Sequence, residues 1–129
     1  MKKMLITLAL FSLLQGVATA QPIVREGILA DPAGRTLYIF DKDAPGKSHC
    51  SGGCLTAWPA FVAKDGAQAV GDFSLLNANG IQQWAFKGKP LYYFAGDTQV
   101  GERNGENNGG VWHTVSGNAA KPTAIKSTY

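Results

Sequence analysis

The chain has 129 residues, of which 45% are hydrophobic and 16% charged, with a formal net charge of +3 at pH 7. Two of the positive charges are Lys2 and Lys3, so the chain without them carries +1 and has no Lys/Arg block. That excludes electrostatic capture of nucleic acid as a main role.

Met1 to Ala20 reads as an export signal. Lys2 and Lys3 start it, Leu5 to Leu14 is an apolar run, and Ala18-Thr19-Ala20 is an A-x-A cleavage site. The apolar run is too short to span a membrane. No Cys follows the cleavage site, so a soluble periplasmic or secreted chain without a lipid anchor is expected, starting at Gln21. Residues 21–129 are enough for one ordinary domain. Both methionines fall in the leader, which leaves no Met to ligate haem or copper.

The rest reads as mostly β. Val24 to Ala30 is expected to form a strand. Asp31-Pro32-Ala33-Gly34 has the residues of a type I turn, and Leu37 to Phe40 returns antiparallel. A first loop, Lys42 to Gly53, leads to a short helix over Cys54 to Trp58, stopped by Pro59. Lys64-Asp65-Gly66 and Asn77-Ala78-Asn79-Gly80 are turn signals; Phe73 to Leu76 between them is a strand or one helical turn. Ile81 to Phe86 is a strand, Lys87-Gly88-Lys89 a turn, and Leu91 to Phe94 the return strand. A second loop, Gly96 to Gly110, is rich in Gly, Asn and Glu, and the tail from Gly117 reads as frayed.

Two of these stretches match. Residues 34–43 and 88–97 both read Gly-x-x-Leu-Tyr-x-Phe-x-x-Asp, 54 residues apart, and the same offset carries Trp58 onto Trp112. Identity locked to position argues for an internal repeat. In a strand, side chains alternate faces, so Tyr38 and Phe40 share one face and Leu37 and Ile39 the other. Tyr92 and Phe94, against Leu91 and Tyr93, repeat the arrangement. With both faces apolar, each strand is expected to be covered on both sides, its aromatics serving as core. Asp43 and Asp97, just past the strand ends, are expected to accept backbone N–H bonds and fix their loops.

Cys50 and Cys54 are the only cysteines. An exported chain meets an oxidising compartment, where a disulfide is the default. It requires the chain to coil through Ser51-Gly52-Gly53, which glycines permit. The spacing is wrong for a c-type haem or a thioredoxin site, and a zinc site lacks ligands. Copper or thiol redox chemistry, with His49 or His113 as a further ligand, is the alternative. Asp41-x-Asp43-x-x-Gly46 and Asn104, Glu106, Asn108 match a calcium loop only in part, without its last carboxylate. Gly-x-Ser-x-Gly, His-Glu-x-x-His and phosphate-binding Gly-rich loops are absent, so no catalytic residue is assigned.

Leu37 to Asp43, Gly46-Lys47-Ser48, Cys50-Ser51-Gly52-Gly53-Cys54 and Trp58-Pro59 resemble the secreted-repeat or "predicted lipoprotein" family, as do Leu91 to Gly101 and Gly109 to His113. That family is marked by a Tyr-x-(Phe/Trp/Tyr)-x-x-Asp motif, matched at Tyr38, Phe40, Asp43 and at Tyr92, Phe94, Asp97. The resemblance implies a bacterial exported protein of uncharacterised function.

The combined expectation is a mainly β chain of two tandem hairpin-based repeats, about 28–62 and 82–116, packed into one small domain with a helical turn near Cys54 to Trp58. It is a monomeric, non-enzymatic binding or interaction module without a cofactor, whose partner is an envelope protein or a small ligand.

Overall fold

The computed structural model describes residues 21–120; the export-signal reading of Met1 to Ala20 lies outside them. The chain is mainly β. Its elements are β1 (Ile23–Arg25), β2 (Ile28–Ala30), β3 (Tyr38–Phe40), α1 (Gly53–Ala57), β4 (Phe73–Ala78), β5 (Ile81–Phe86), β6 (Lys89–Pro90), a 3-10 turn at Asn108–Gly110, β7 (Trp112–Thr114) and α2 (Gly117–Ala120).

Four expectations need correction. Val24 to Ala30 is not one strand but the hairpin β1–β2, in which Val24 faces Leu29. Its turn is Glu26-Gly27, both at positive φ (48° and 84°), the pair of angles a two-residue hairpin turn demands. Glu disguises that turn, whereas Asn79-Gly80, at 52° and 77°, announces it openly between β4 and β5. Second, Leu91 to Phe94 is not a regular strand: β6 ends at Pro90, and beyond it Tyr92 makes isolated bridges to Tyr38 and Ala60. Third, the tail begins with the helical turn α2, where Gly117 donates to the Gly27 carbonyl (2.7 Å). A Cβ at Gly117 would stand 2.5 Å from Val24 Cγ1, so only glycine lets the chain pass β1 this closely. Fourth, the strand after the Asp31 to Gly34 turn does not return along β2, which it meets only at the Ala30–Thr36 bridge; β3 pairs instead with β7. β5 spans Ile81–Phe86 and Phe73 starts a strand, as expected, and the short helix covers Gly53–Ala57, one residue earlier than expected.

The two repeats meet at their motifs. Tyr38 and Tyr92 exchange backbone bonds (Tyr38 N to Tyr92 O 2.8 Å, Tyr92 N to Tyr38 O 2.9 Å). On one side β3 pairs with β7, Phe40 facing Trp112; on the other, Tyr93 N donates to Pro59 O (2.7 Å) and Phe61 N to Leu91 O (2.9 Å). The reciprocity continues outward: Asp41 N donates to Val111 O and Ala95 N to Ala57 O, each at 2.8 Å. These contacts relate the repeats by an approximate two-fold axis passing between Tyr38 and Tyr92.

Alternation then sorts the side chains into two cores, one on each face, as expected for strands covered on both sides. Leu37 and Leu91 point to one, with Leu29, Phe61, Trp84, Phe86 and Val115. Tyr38 and Tyr92 point to the other, with Cys50, Trp58 and Trp112. Each core therefore draws on both repeats. Among the described residues, no helix is long and apolar enough to cross a membrane.

Candidate functional site

The motif side chains converge on the second core. Trp58 and Trp112 stack face to face at the two-fold, with ring centroids 3.9 Å apart and planes 3° from parallel. Phe40 stacks on the outer side of Trp112 (4.2 Å) and Phe94 on that of Trp58 (4.4 Å), giving a continuous pile of four rings. Tyr38 meets Trp58 edge-on and Tyr92 meets Trp112 edge-on, the geometry that the aromatic quadrupole favours. Gly105 is shaped by this pile: a Cβ there would lie 2.7 Å from the Trp58 ring and 3.0 Å from Phe94.

The tyrosine hydroxyls cross between repeats. Tyr38 donates to Asp97 Oδ2 (2.6 Å) and Tyr92 to Asp43 Oδ2 (2.7 Å). The other carboxylate oxygens do what the sequence led one to expect. Asp43 Oδ1 accepts the His49 N–H (2.6 Å) and Asp97 Oδ1 accepts the Asn104 N–H (2.9 Å). Each Asp thus closes its own loop and is held by the tyrosine of the other repeat. Burial first, then the bond to Asp97, pushes the Tyr38 phenol well above its ordinary pKa. Burial likewise raises Tyr92, with Asp43 adding to it against an opposing bond with Ser48. Desolvation also lifts Asp43 above the ordinary carboxylate value, although its bonds from His49 and Tyr92 pull the other way.

Cys50 and Cys54 are joined in a disulfide with Cα atoms 5.3 Å apart, which ties the end of the first loop to the first turn of α1. Cys50 is fully buried, and Cys54 packs against the same aromatic core. The two histidines are elsewhere in role. His49 is exposed and engages Asp43 through its backbone. His113 lies between two carboxylates, Nε2 at 2.7 Å from Asp41 and Nδ1 at 3.6 Å from Glu106. The bond to Asp41 leads in raising the His113 pKa, with Glu106 assisting.

The partial calcium motifs spread apart rather than converge. Asp41 serves His113, Asp43 serves Tyr92 and His49, and Glu106 takes the Thr114 N–H and hydroxyl. Among the described residues, no group of three or more His, Cys, Asp or Glu is placed to hold a metal ion.

Some contributors went unread in the sequence. Ser48 Oγ lies 2.6 Å from the Tyr92 hydroxyl, and buried Gln83 donates to Leu91 O (2.8 Å). Asp31 does more than its turn: besides taking the Ala33 and Arg35 N–H groups on Oδ1, it accepts from the Tyr93 hydroxyl on Oδ2 (2.7 Å). Tyr93 in the place of Ile39 was the available signal, because a buried phenol needs a partner.

The arrangement thus presents two closed loops, 42–53 and 96–110, over one aromatic core. A family model described as a secreted repeat of unknown function matches residues 26–62 and again 76–116, more than half the chain. No curated protein and no solved structure matches it. The chain belongs to this family of secreted repeats of unknown function.

Proposed function

We propose that the protein is an exported, non-enzymatic binding module of the cell envelope, recognising its partner through loops 42–53 and 96–110. The crossed Tyr38–Asp97 and Tyr92–Asp43 bonds carry this reading. They direct the motif's reactive groups inward and fix each loop to the opposite repeat. Loops held on a rigid scaffold are where binding residues concentrate. The motif residues on this reading are scaffold, and the exposed loop residues make the contacts.

Site-specific photo-crosslinking in the envelope tests the idea. A crosslinker at Lys47, His49 or Asn107 is expected to capture one partner, and one at Lys64 or Gln82 to capture none. Crosslinks arising equally from the control positions would remove the loops from the proposal. The leader is cleaved after Ala20 and the mature chain is a soluble monomer; intact mass and sedimentation of the exported protein check this, and a lipid adduct or retained leader would refute it.

A copper or thiol-redox role for Cys50 and Cys54 with His49 or His113 is the competing reading. Its support is the exposed His49 side chain next to the bonded pair. Thiol titration of protein purified without reductant, with copper titration of the reduced form, separates the two. Free thiols together with tight copper binding favour the redox reading.

A further inference from the structure

Away from the aromatic core, Arg25 and Arg103 line one shallow depression with Glu26, Ile28, Gly34 and Gly101. Its floor is made by two glycines at positive φ (94° and 83°), tied by the bond from Gly101 N to Gly34 O (3.2 Å). Arg25, at the end of β1 and half-buried, lies across both. A Cβ at Gly101 would stand 2.9 Å from Arg25 Nη1, and one at Gly34 3.3 Å from its Cδ. Arg103 is pinned beside it, Nη2 donating to the Glu26 carbonyl (2.8 Å).

Among the described residues, neither guanidinium has an ion-pair partner. Among the described residues the ion pairs are both made by His113, with Asp41 and Glu106. Glu102, adjacent in sequence to Arg103, turns its carboxylate back to the Thr98 and Gln99 N–H groups and to Asn104. Glu26 also lines the depression, exposed and without an ion pair to either arginine. Two cations thus face one carboxylate in a concave spot whose backbone is shaped to hold an arginine.

We propose that this depression binds a single phosphate-type oxyanion between Arg25 and Arg103. Planar guanidinium groups match oxyanion geometry with paired N–H donors. The depression is open to solvent and encloses no ligand-sized space, so the oxyanion is held at the surface by the two guanidinium groups rather than in a cavity. The proposal deepens the binding reading by naming a ligand class, and it is tested without the unknown partner, so either can fail alone.

The test follows the arginine side-chain Nε–H signals of the full-length exported protein while inorganic phosphate replaces chloride at constant ionic strength. Saturable movement of the Arg25 and Arg103 signals is expected, with affinity at least tenfold weaker in Arg103→Gln and tighter in Glu26→Gln. Arg103→Gln also removes the bond to the Glu26 carbonyl, so unchanged backbone amide signals of β1 and β2 are required to verify that the hairpin carrying Arg25 is kept. Vesicles containing phosphatidylglycerol, against phosphatidylcholine alone, then identify the source. Arg103-dependent sedimentation with the former points to a lipid phosphate; phosphate binding without it points to a free one. No saturable movement, or movement indifferent to Arg103→Gln, overturns the proposal.

Discussion

At the scale of single residues, the crossed tyrosine–aspartate pairs set the energetics of the motif. A hydrogen bond to a charged group contributes roughly 1.5–3 kcal/mol, and the cost of losing it grows when the charge left behind is buried. Asp97 is 6% exposed and retains only the Asn104 N–H after Tyr38→Phe, whereas Asp43 is less deeply buried and can turn to water after Tyr92→Phe. Tyr38→Phe is therefore expected to cost about 2 kcal/mol and Tyr92→Phe about 1 kcal/mol in urea unfolding. Equal losses would mean that the burial of the aspartate does not set the difference, and no loss at Tyr38 would mean that its pair contributes nothing beyond geometry. The aspartates' loop-closing role was legible because it is local turn chemistry. The tyrosines' target was not, because which Asp a phenol reaches depends on how Tyr38 and Tyr92 pair across the two-fold. His113 supplies a pH dependence. Its folded pKa is raised above the unfolded value near 6.5, so its contribution is complete below that value and is lost as pH rises through the folded pKa. His113, Asp41 and Glu106 side chains are 31%, 49% and 44% exposed, so solvent screening holds the effect to at most ~1 kcal/mol. The stability gap between wild type and His113→Gln is expected to shrink between pH 5.5 and pH 8.5; a gap that widens would reverse the sign.

At the scale of elements, legibility followed turn chemistry. Asn79-Gly80 and Asp31-Pro32-Ala33-Gly34 carry their conformations in their side chains, and Gly34 N does bond Asp31 O (2.9 Å). Glu26 adopts φ 48° against its own preference, held by β1–β2 pairing and by the Arg103 bond to its carbonyl, and so the first hairpin read as one strand. The second repeat's hairpin is also longer, six paired positions in β4–β5 against three in β1–β2. Its extra reach brings Asn79 to the disulfide loop, where Nδ2 donates to Cys50 O (3.1 Å). That contact, with Asp43 holding His49 N, means the disulfide is not the loop's sole restraint. A ring this short constrains the unfolded chain little, about 2 kcal/mol in the loop-entropy account. The Cys50→Ser, Cys54→Ser double variant is thus expected to fold, lose about 2 kcal/mol, and exchange amide hydrogens faster only between residues 44 and 54. Faster exchange spread through β4 and β5 would show that the bond supports the whole repeat.

At the scale of the whole molecule, the offset of 54 residues made the repeats legible as equivalent, but equivalence does not say from where each takes its partners. Two self-contained units side by side and two units exchanging contacts across a two-fold axis have the same sequence signature. The fold is of the second kind. Leu37 and Leu91 share one core, Trp58 and Trp112 stack in the other, and each loop's aspartate is held by the opposite tyrosine. Neither repeat buries its own apolar face, so neither has a native state to retain while the other unfolds. Unfolding is therefore expected to be a single transition, despite the repeat. Removing a buried Leu costs ~2–5 kcal/mol through the lost contacts and the cavity. Leu37→Ala and Leu91→Ala, both at fully buried positions, should each shift the whole transition by that amount. Far-UV circular dichroism, tryptophan fluorescence and amide exchange in both repeats should then report the same midpoint in each variant. Trp58 and Trp112 belong to different repeats but to one stack, so their fluorescence should change in a single step with the loss of strand pairing. A variant whose first repeat loosens at lower urea than its second would show that the contacts across the axis are weaker than those within each repeat.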